Sequence, residues 1–293
     1  MTPRSEHLRG LLLMVLAVLV LTPDSLLISL IKADTWTVVF WRGLLTALTL
    51  TVALAVMHGR KMFSKAWEIG FAGVAAGFLF GCSTLSFVMS VRLTTAANAL
   101  VIVASMPLFA AVFTLFFLKE KVPLRTWLAA LAGFGGIAIL FSGSLGGGAL
   151  IGDLLALVTA CFMAGNFVLI RRFDKINMIP AVIFSGILTT LAVAPVSNPA
   201  ALVSEDFLYL ILMGTVVLPV PLAIMTVAPK LIPAPEASLI LLLETFLGPL
   251  WVWMVLKEVP ARETVLGGLL LVSTLAVHSA LGMRDAQIDQ HLE

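Results

Sequence analysis

The sequence predicts an all-α polytopic membrane protein, with ten transmembrane helices arranged as two inverted five-helix repeats. Three observations predict it: ten apolar stretches near membrane length, echoes between residues about 140 positions apart, and an odd number of spans in each half. Hydrophobic residues make up 60% of the chain and charged residues 12%, and the mean hydropathy is +1.11. A soluble domain carries roughly 25% charged residues, so about half the expected charge is missing. The chain is therefore built for lipid.

The apolar stretches run over residues 9–31, 36–57, 67–90, 94–117, 122–142, 149–171, 178–196, 206–228, 235–257 and 262–282. A helix needs about 20 residues to cross the hydrocarbon layer. The first stretch follows Arg4 and Arg9 like a signal peptide, but it continues through Ser25–Ile31 without a small-residue cleavage site, so it is read as a span. None of the stretches alternates with period two. Helices, which satisfy their own backbone groups in lipid, are the expected elements. The connections leave no room for a soluble domain, and the polar tail from Met283 to Glu293 is expected to fray.

The echoes define the repeat. Leu118-Lys119-Glu120-Lys121-Val122-Pro123 returns as Leu256-Lys257-Glu258-Val259-Pro260, 138 positions later. Ala97-Asn98-Ala99 falls opposite Pro235-Glu236-Ala237, Gly10-Leu11-Leu12-Leu13 opposite Gly152-Asp153-Leu154-Leu155, and Pro23-Asp24 opposite Gly165-Asn166. Such a period is half a protein, far longer than a solenoid unit of about 20–50 residues. With the Gly-rich Ser142–Gly148 linker between them, the repeats are placed at 1–145 and 146–293, within one integrated membrane domain.

Orientation follows from basic residues in the connections. One side holds Arg4, Arg9, Arg60, Lys61, Lys65, Lys119, Lys121, Arg125, Arg171, Arg172, Lys175, Lys230 and Arg284; the other holds Lys32, Arg92, Lys257 and Arg262. Both termini are expected in the cytoplasm. Five spans is an odd number, so the second repeat runs upside down. Inverted repeats with interrupted helices mark alternating-access transporters, whose substrate site lies near the midplane. Pro23 is expected to break span 1 and Gly165 to loosen span 6, its counterpart; span 3 carries Gly73, Gly77 and Gly81, and its counterpart, span 8, carries Pro219 and Pro221.

Two five-helix halves, Phe40-Trp41-Arg42-Gly43 opening span 2, and the run from Asn98 through Pro107-Leu108-Phe109 to Leu118-Lys119-Glu120 resemble the drug/metabolite transporter superfamily. The ten-span EamA-type exporters are the closest match, over nearly the whole chain, and among them exporters of amino acids, including aromatic ones. The resemblance implies a secondary transporter in the inner membrane of a bacterium, exporting a small molecule. Such families often carry Glu-Pro midway along span 9 and a Gly before the loop Glu. Here the pair is split between Met106-Pro107 and Glu244-Thr245, and Lys119 and Lys257 replace the Gly.

The residues constrain the substrate independently. A carrier of phosphorylated compounds should present several buried cations, and only Arg42 lies well inside a span. The expected cavity helices offer the aromatics Trp41, Phe78, Phe80, Phe87 and Phe162 beside the polar Ser83, Thr84, Asn98, Ser105, Asn166 and Thr226. An apolar wall with a few polar contacts suits a neutral, partly hydrophobic zwitterion; each aromatic has lipid or core packing as its competing role. Asp24 and Arg42 are equally far from Ala33 in the turn between spans 1 and 2. They either pair at equal depth or leave Arg42 snorkelling to the headgroups. Gly73, Gly77 and Gly81 form a small-residue face that lets helices approach closely.

Glu244 lies about nine helical steps into span 9, roughly 13–14 Å deep, near the middle of a ~30 Å layer. An acid there is expected to face protein or a water-filled cavity. It either binds a substrate ammonium or a coupling proton, or fixes helix packing through a hydrogen bond. Net charge of +2 gives no reason to expect a nucleic-acid partner, and Cys82 and Cys161 sit in apolar runs without metal-ligand spacing. No metal, cofactor or catalytic set is expected; the partners are an amino-acid substrate, the lipid bilayer and protons as a candidate coupling ion, and the expected state is a monomer. The alternatives are export of other small metabolites or drugs, and a channel.

Overall fold

The structure, a computed structural model, describes residues 3–59, 69–119, 124–144, 149–173, 177–225 and 234–292. The basic residues expected on the cytoplasmic connections, Arg60, Lys61, Lys65, Lys121, Lys175 and Lys230, lie outside them, as does Thr226.

The regular elements among the described residues are all helices, with no strand among them. In chain order the helices are α1 (Pro3–Leu21), α2 (Asp24–Leu30), α3 (Thr35–His58), α4 (Gly70–Leu93), α5 (Ala96–Val103), α6 (Met106–Phe113), α7 (Leu124–Ser144), α8 (Leu150–Arg172), α9 (Ile179–Val193), α10 (Ser204–Leu212), α11 (Pro219–Met225), α12 (Ala234–Leu256) and α13 (Arg262–Leu292). Wide π-helical turns continue α6 over Thr114–Leu118 and α10 over Met213–Val217. Among the described residues, seven helical stretches are long and apolar enough to cross a membrane; Ile179–Val193 and Leu243–Leu256 are shorter apolar helices.

Three interruptions subdivide the helices. Pro23 separates α1 from α2, Ala104-Ser105 precedes Pro107 between α5 and α6, and the π-helical turn before Pro219 separates α10 from α11. Proline removes a backbone donor and crowds the preceding turn. Gly165 does not interrupt its helix: α8 is continuous from Leu150 to Arg172, because a glycine keeps its N–H and costs a helix only about 1 kcal/mol. Gly73, Gly77 and Gly81 likewise sit in an unbroken α4. The expected fraying after Met283 is not observed, since α13 stays helical to Leu292; the Met-Arg-Asp-Ala-Gln sequence contains no breaker.

Packing across the two halves uses reciprocal glycines. A Cβ on Gly43 would stand 2.7 Å from the Gly186 carbonyl, and one on Gly186 would stand 2.5 Å from that of Gly43. Only bare backbones allow α3 and α9 to cross so closely. Gly136 and Gly267 repeat the arrangement between α7 and α13. In each crossing the two glycines face one another across a pair of helices far apart in the chain. Gly77 serves the expected packing role: its Cβ would meet the Ala181 carbonyl at 2.6 Å.

One end of the bundle is tied by polar contacts. Asp206 accepts from the backbone N–H groups of Lys32 and Ala33, both at 2.9 Å, and Arg92 donates to the carbonyls of Ile31 and Ala33. The Asn198 N–H donates to Thr37 Oγ1 at 2.9 Å. Asp34 caps α3 by accepting from Trp36 and Thr37. Lys119 and Lys257, the two echoes, are the only non-glycine residues with positive φ among those described, at 55° and 59°. They lie at opposite ends: Lys257 leads into the α13 turn whose Thr264 bonds Asn98 at the start of α5, whereas Lys119 follows the far end of the α5–α6 span.

Candidate functional site

The break at Pro23 places Asp24 at the first position of α2, facing α3. Arg42 Nη1 donates to Asp24 Oδ1 at 2.6 Å, with both residues about 95% buried. Equal distance from the 31–35 turn gives the two groups equal depth. The guanidinium also stands 5.9 Å from the Phe87 ring centroid and 3.5 Å from Met213 Sδ.

Arg42 also borders a small recess, a cavity of about 20 Å³. Gly43 and Thr46 of α3, Phe80 and Thr84 of α4, and Ser185 and Thr189 of α9 line it, and Leu218 and Leu222 close it. The Gly43–Gly186 crossing holds α3 and α9 together at this level. Each polar residue lies in the interior of its helix, so the recess belongs to the middle of the bundle.

Glu244 projects from α12. Gly248 and Trp251, one and two turns further on the same face, meet Leu100 and bond Thr22 Oγ1 respectively. That face looks onto the broken part of the first span, where Ser25 Oγ is buried without a partner. The Glu244 residue is half-buried.

Of the twelve residues expected at the substrate, Phe80 and Thr84 line the recess and Phe87 flanks Arg42, while Glu244 lies on the α12 face that meets the break. Others are elsewhere. Phe78 points outward, 52% exposed, on the same face as the exposed Phe71 and Val74. Trp41 donates Nε1–H to the Pro199 carbonyl and packs edge-on against Phe40 and Phe207. The hydroxyls of Ser83 and Ser105 bond carbonyls of their own helical turns, Phe80 and Ile102. Asn98 is consumed by a polar knot: its amide donates to Thr94 and Asp153, and Thr264 donates to its carbonyl. Asn166 is buried with Oδ1 unpartnered, and Phe162 is half-buried; neither lines the recess.

Thr46, Ser185 and Thr189 were not singled out from the sequence. The signal was an echo of the other repeat: Arg42-Gly43 falls opposite Ser185-Gly186, 143 positions on, just as Asp24 falls opposite Asn166. The charged pair of the first half thus has neutral counterparts in the second.

The model of the EamA-like transporter family matches the chain twice, over residues 8–142 and 150–279. One solved crystal structure, described only as that of a protein, superposes with a TM-score of 0.68 at 18% identity, covering 93% of this chain and 98% of its own. That likeness concerns the fold. No curated protein matches the chain.

Proposed function

Because the chain belongs to the EamA-like transporter family, a family of small-molecule membrane transporters and not of enzymes, we propose that it exports neutral amino acids, aromatic or large hydrophobic ones, by alternating access across a bacterial cytoplasmic membrane. The observation that carries the reading is the mid-bundle recess: one cation, already neutralised by Asp24, set among hydroxyls and the apolar walls of Phe80, Leu218 and Leu222. A single paired cation disfavours phosphorylated substrates, and the mixed walls suit a zwitterion with an apolar side chain.

The family model's two matches and the two positive-φ lysines at opposite ends support inverted repeats over 1–145 and 146–293 within a ten-span monomer. In this reading both termini are cytoplasmic and the tied end, with Asp206 and Arg92, faces outward. Cysteines introduced at Lys121 and Val259 then label with impermeant reagent from opposite sides; labelling from one side ends the inverted-repeat argument.

The activity is tested with purified protein in proteoliposomes loaded with unlabelled amino acids, by following counterflow of labelled phenylalanine, leucine and polar controls, with and without a pH gradient. Counterflow of the first two is expected. Movement of sugar phosphates without any amino acid would sink the reading.

A further inference from the structure

The recess contains two polar atoms that nothing in the protein satisfies. Arg42 Nε and Thr46 Oγ1 are buried without hydrogen-bond partners, and both residues, each 5% exposed, line the recess one turn apart on α3. Thr189, another hydroxyl of the recess, shows the usual alternative. Its Oγ1 donates to the carbonyls of its own helix at Ser185 and Gly186. Thr46 makes no such bond.

An arginine presents its donors on more than one planar edge. Asp24 occupies Nη1, and the Nε edge is left over. A buried, charged donor left unpaired is costly, so its persistence beside an open space points to a ligand that completes it. The ligand must supply acceptors to a planar cationic edge and to a hydroxyl one turn away, which is the chemistry of a carboxylate. Since Asp24 already cancels the charge of Arg42, a dianionic phosphate is disfavoured, whereas the carboxylate of a zwitterion arrives with its own balancing ammonium. Phe80 and Leu222, across the recess, present apolar surface to the rest of the molecule.

We infer that Arg42 Nε and the Thr46 hydroxyl form the subsite for the carboxylate of the transported molecule, with its apolar group toward Phe80 and Leu222. This rests on the amino-acid reading above and specifies which end of the substrate the recess recognises. Asp24 acts as a positioning residue, holding the guanidinium so that the Nε edge faces the recess.

The test varies the ligand before the protein. In phenylalanine counterflow, 3-phenylpropionate, which keeps the carboxylate and lacks the ammonium, should compete about tenfold better than 2-phenylethylamine, which has the reverse. Thr46→Val replaces an unpartnered hydroxyl with a methyl of similar shape, so the protein should fold. It should weaken competition by the acid several-fold and leave that by the amine unchanged. Arg42→Lys, lacking the planar edge, should weaken the acid further. Equal competition by acid and amine, or equal weakening of both by Thr46→Val, overturns the subsite. If phenylalanine does not exchange at all, the amino-acid reading fails, and thermal shifts of the purified protein decide the subsite separately. Stabilisation by 3-phenylpropionate that disappears in Thr46→Val sustains it, and no stabilisation overturns it.

Discussion

Replacing Asp24 with Asn would leave Arg42 charged and buried in the middle of the bundle. With charge centres about 4 Å apart, the pair attracts by about 4 kcal/mol at an effective dielectric constant of about 20. Breaking a buried pair by removing one partner costs about 3–5 kcal/mol, because the surviving charge keeps its desolvation penalty. Asn retains an oxygen that can accept from Nη1, which returns about 1 kcal/mol. The expected loss for Asp24→Asn is therefore about 2–4 kcal/mol. Arg42→Met leaves Asp24 unpaired and should cost a similar amount. The double variant leaves no buried charge at the pair and should lose at least about 2 kcal/mol less than the sum of the singles. Reversible unfolding in mixed micelles, with the four proteins at one pH and ionic strength, measures the cycle. Two singles whose losses simply add, or an Asp24→Asn protein within about 0.5 kcal/mol of the parent, would refute the claim that this 2.6 Å contact couples the first two spans.

Glu244→Gln keeps shape and hydrogen bonding but cannot ionise; proton-coupled transport should lose its dependence on an imposed pH gradient, and unchanged transport at every pH would remove the charge from the mechanism. Lys119→Gly and Lys257→Gly relieve left-handed backbone at residues with φ of 55° and 59°, so each should raise stability by about 1 kcal/mol, read as a higher melting temperature in detergent. Burial alone would push the Asp34 carboxyl up, but bonds from Thr37 and Trp36 more than offset it and hold it below its ordinary value. Its folded-state value is thus the lower one, so its contribution is present above the unfolded-state value and lost as pH falls through the folded one. Asp34→Ala should cost about 1 kcal/mol at neutral pH and nothing once the cap is protonated, checked by melting at pH 7 and at acid pH.

The sequence alone determined the solvent of this protein and pointed to its family, because charge depletion and the family's motifs are visible without coordinates. It also made Asp24 and Arg42 candidates for pairing, since two helices leaving one short turn carry equidistant residues to the same depth. The echo of Lys119 in Lys257 likewise marked two equivalent turns, whose shared left-handed backbone only the structure revealed. The walls of the recess needed tertiary structure. Apolarity does not tell lipid from protein in a spanning helix, since hydrocarbon is as apolar as leucine; Phe78 and Phe80 read alike, yet one faces outward and the other inward. Nor could composition separate Gly165, inside a continuous helix, from Ala104-Ser105, at a real break. Which hydroxyls face Arg42 was decided by the Gly43–Gly186 crossing of α3 and α9. That contact joins residues 143 positions apart, and its geometry depends on how two helix surfaces fit, which no local pattern in either helix encodes.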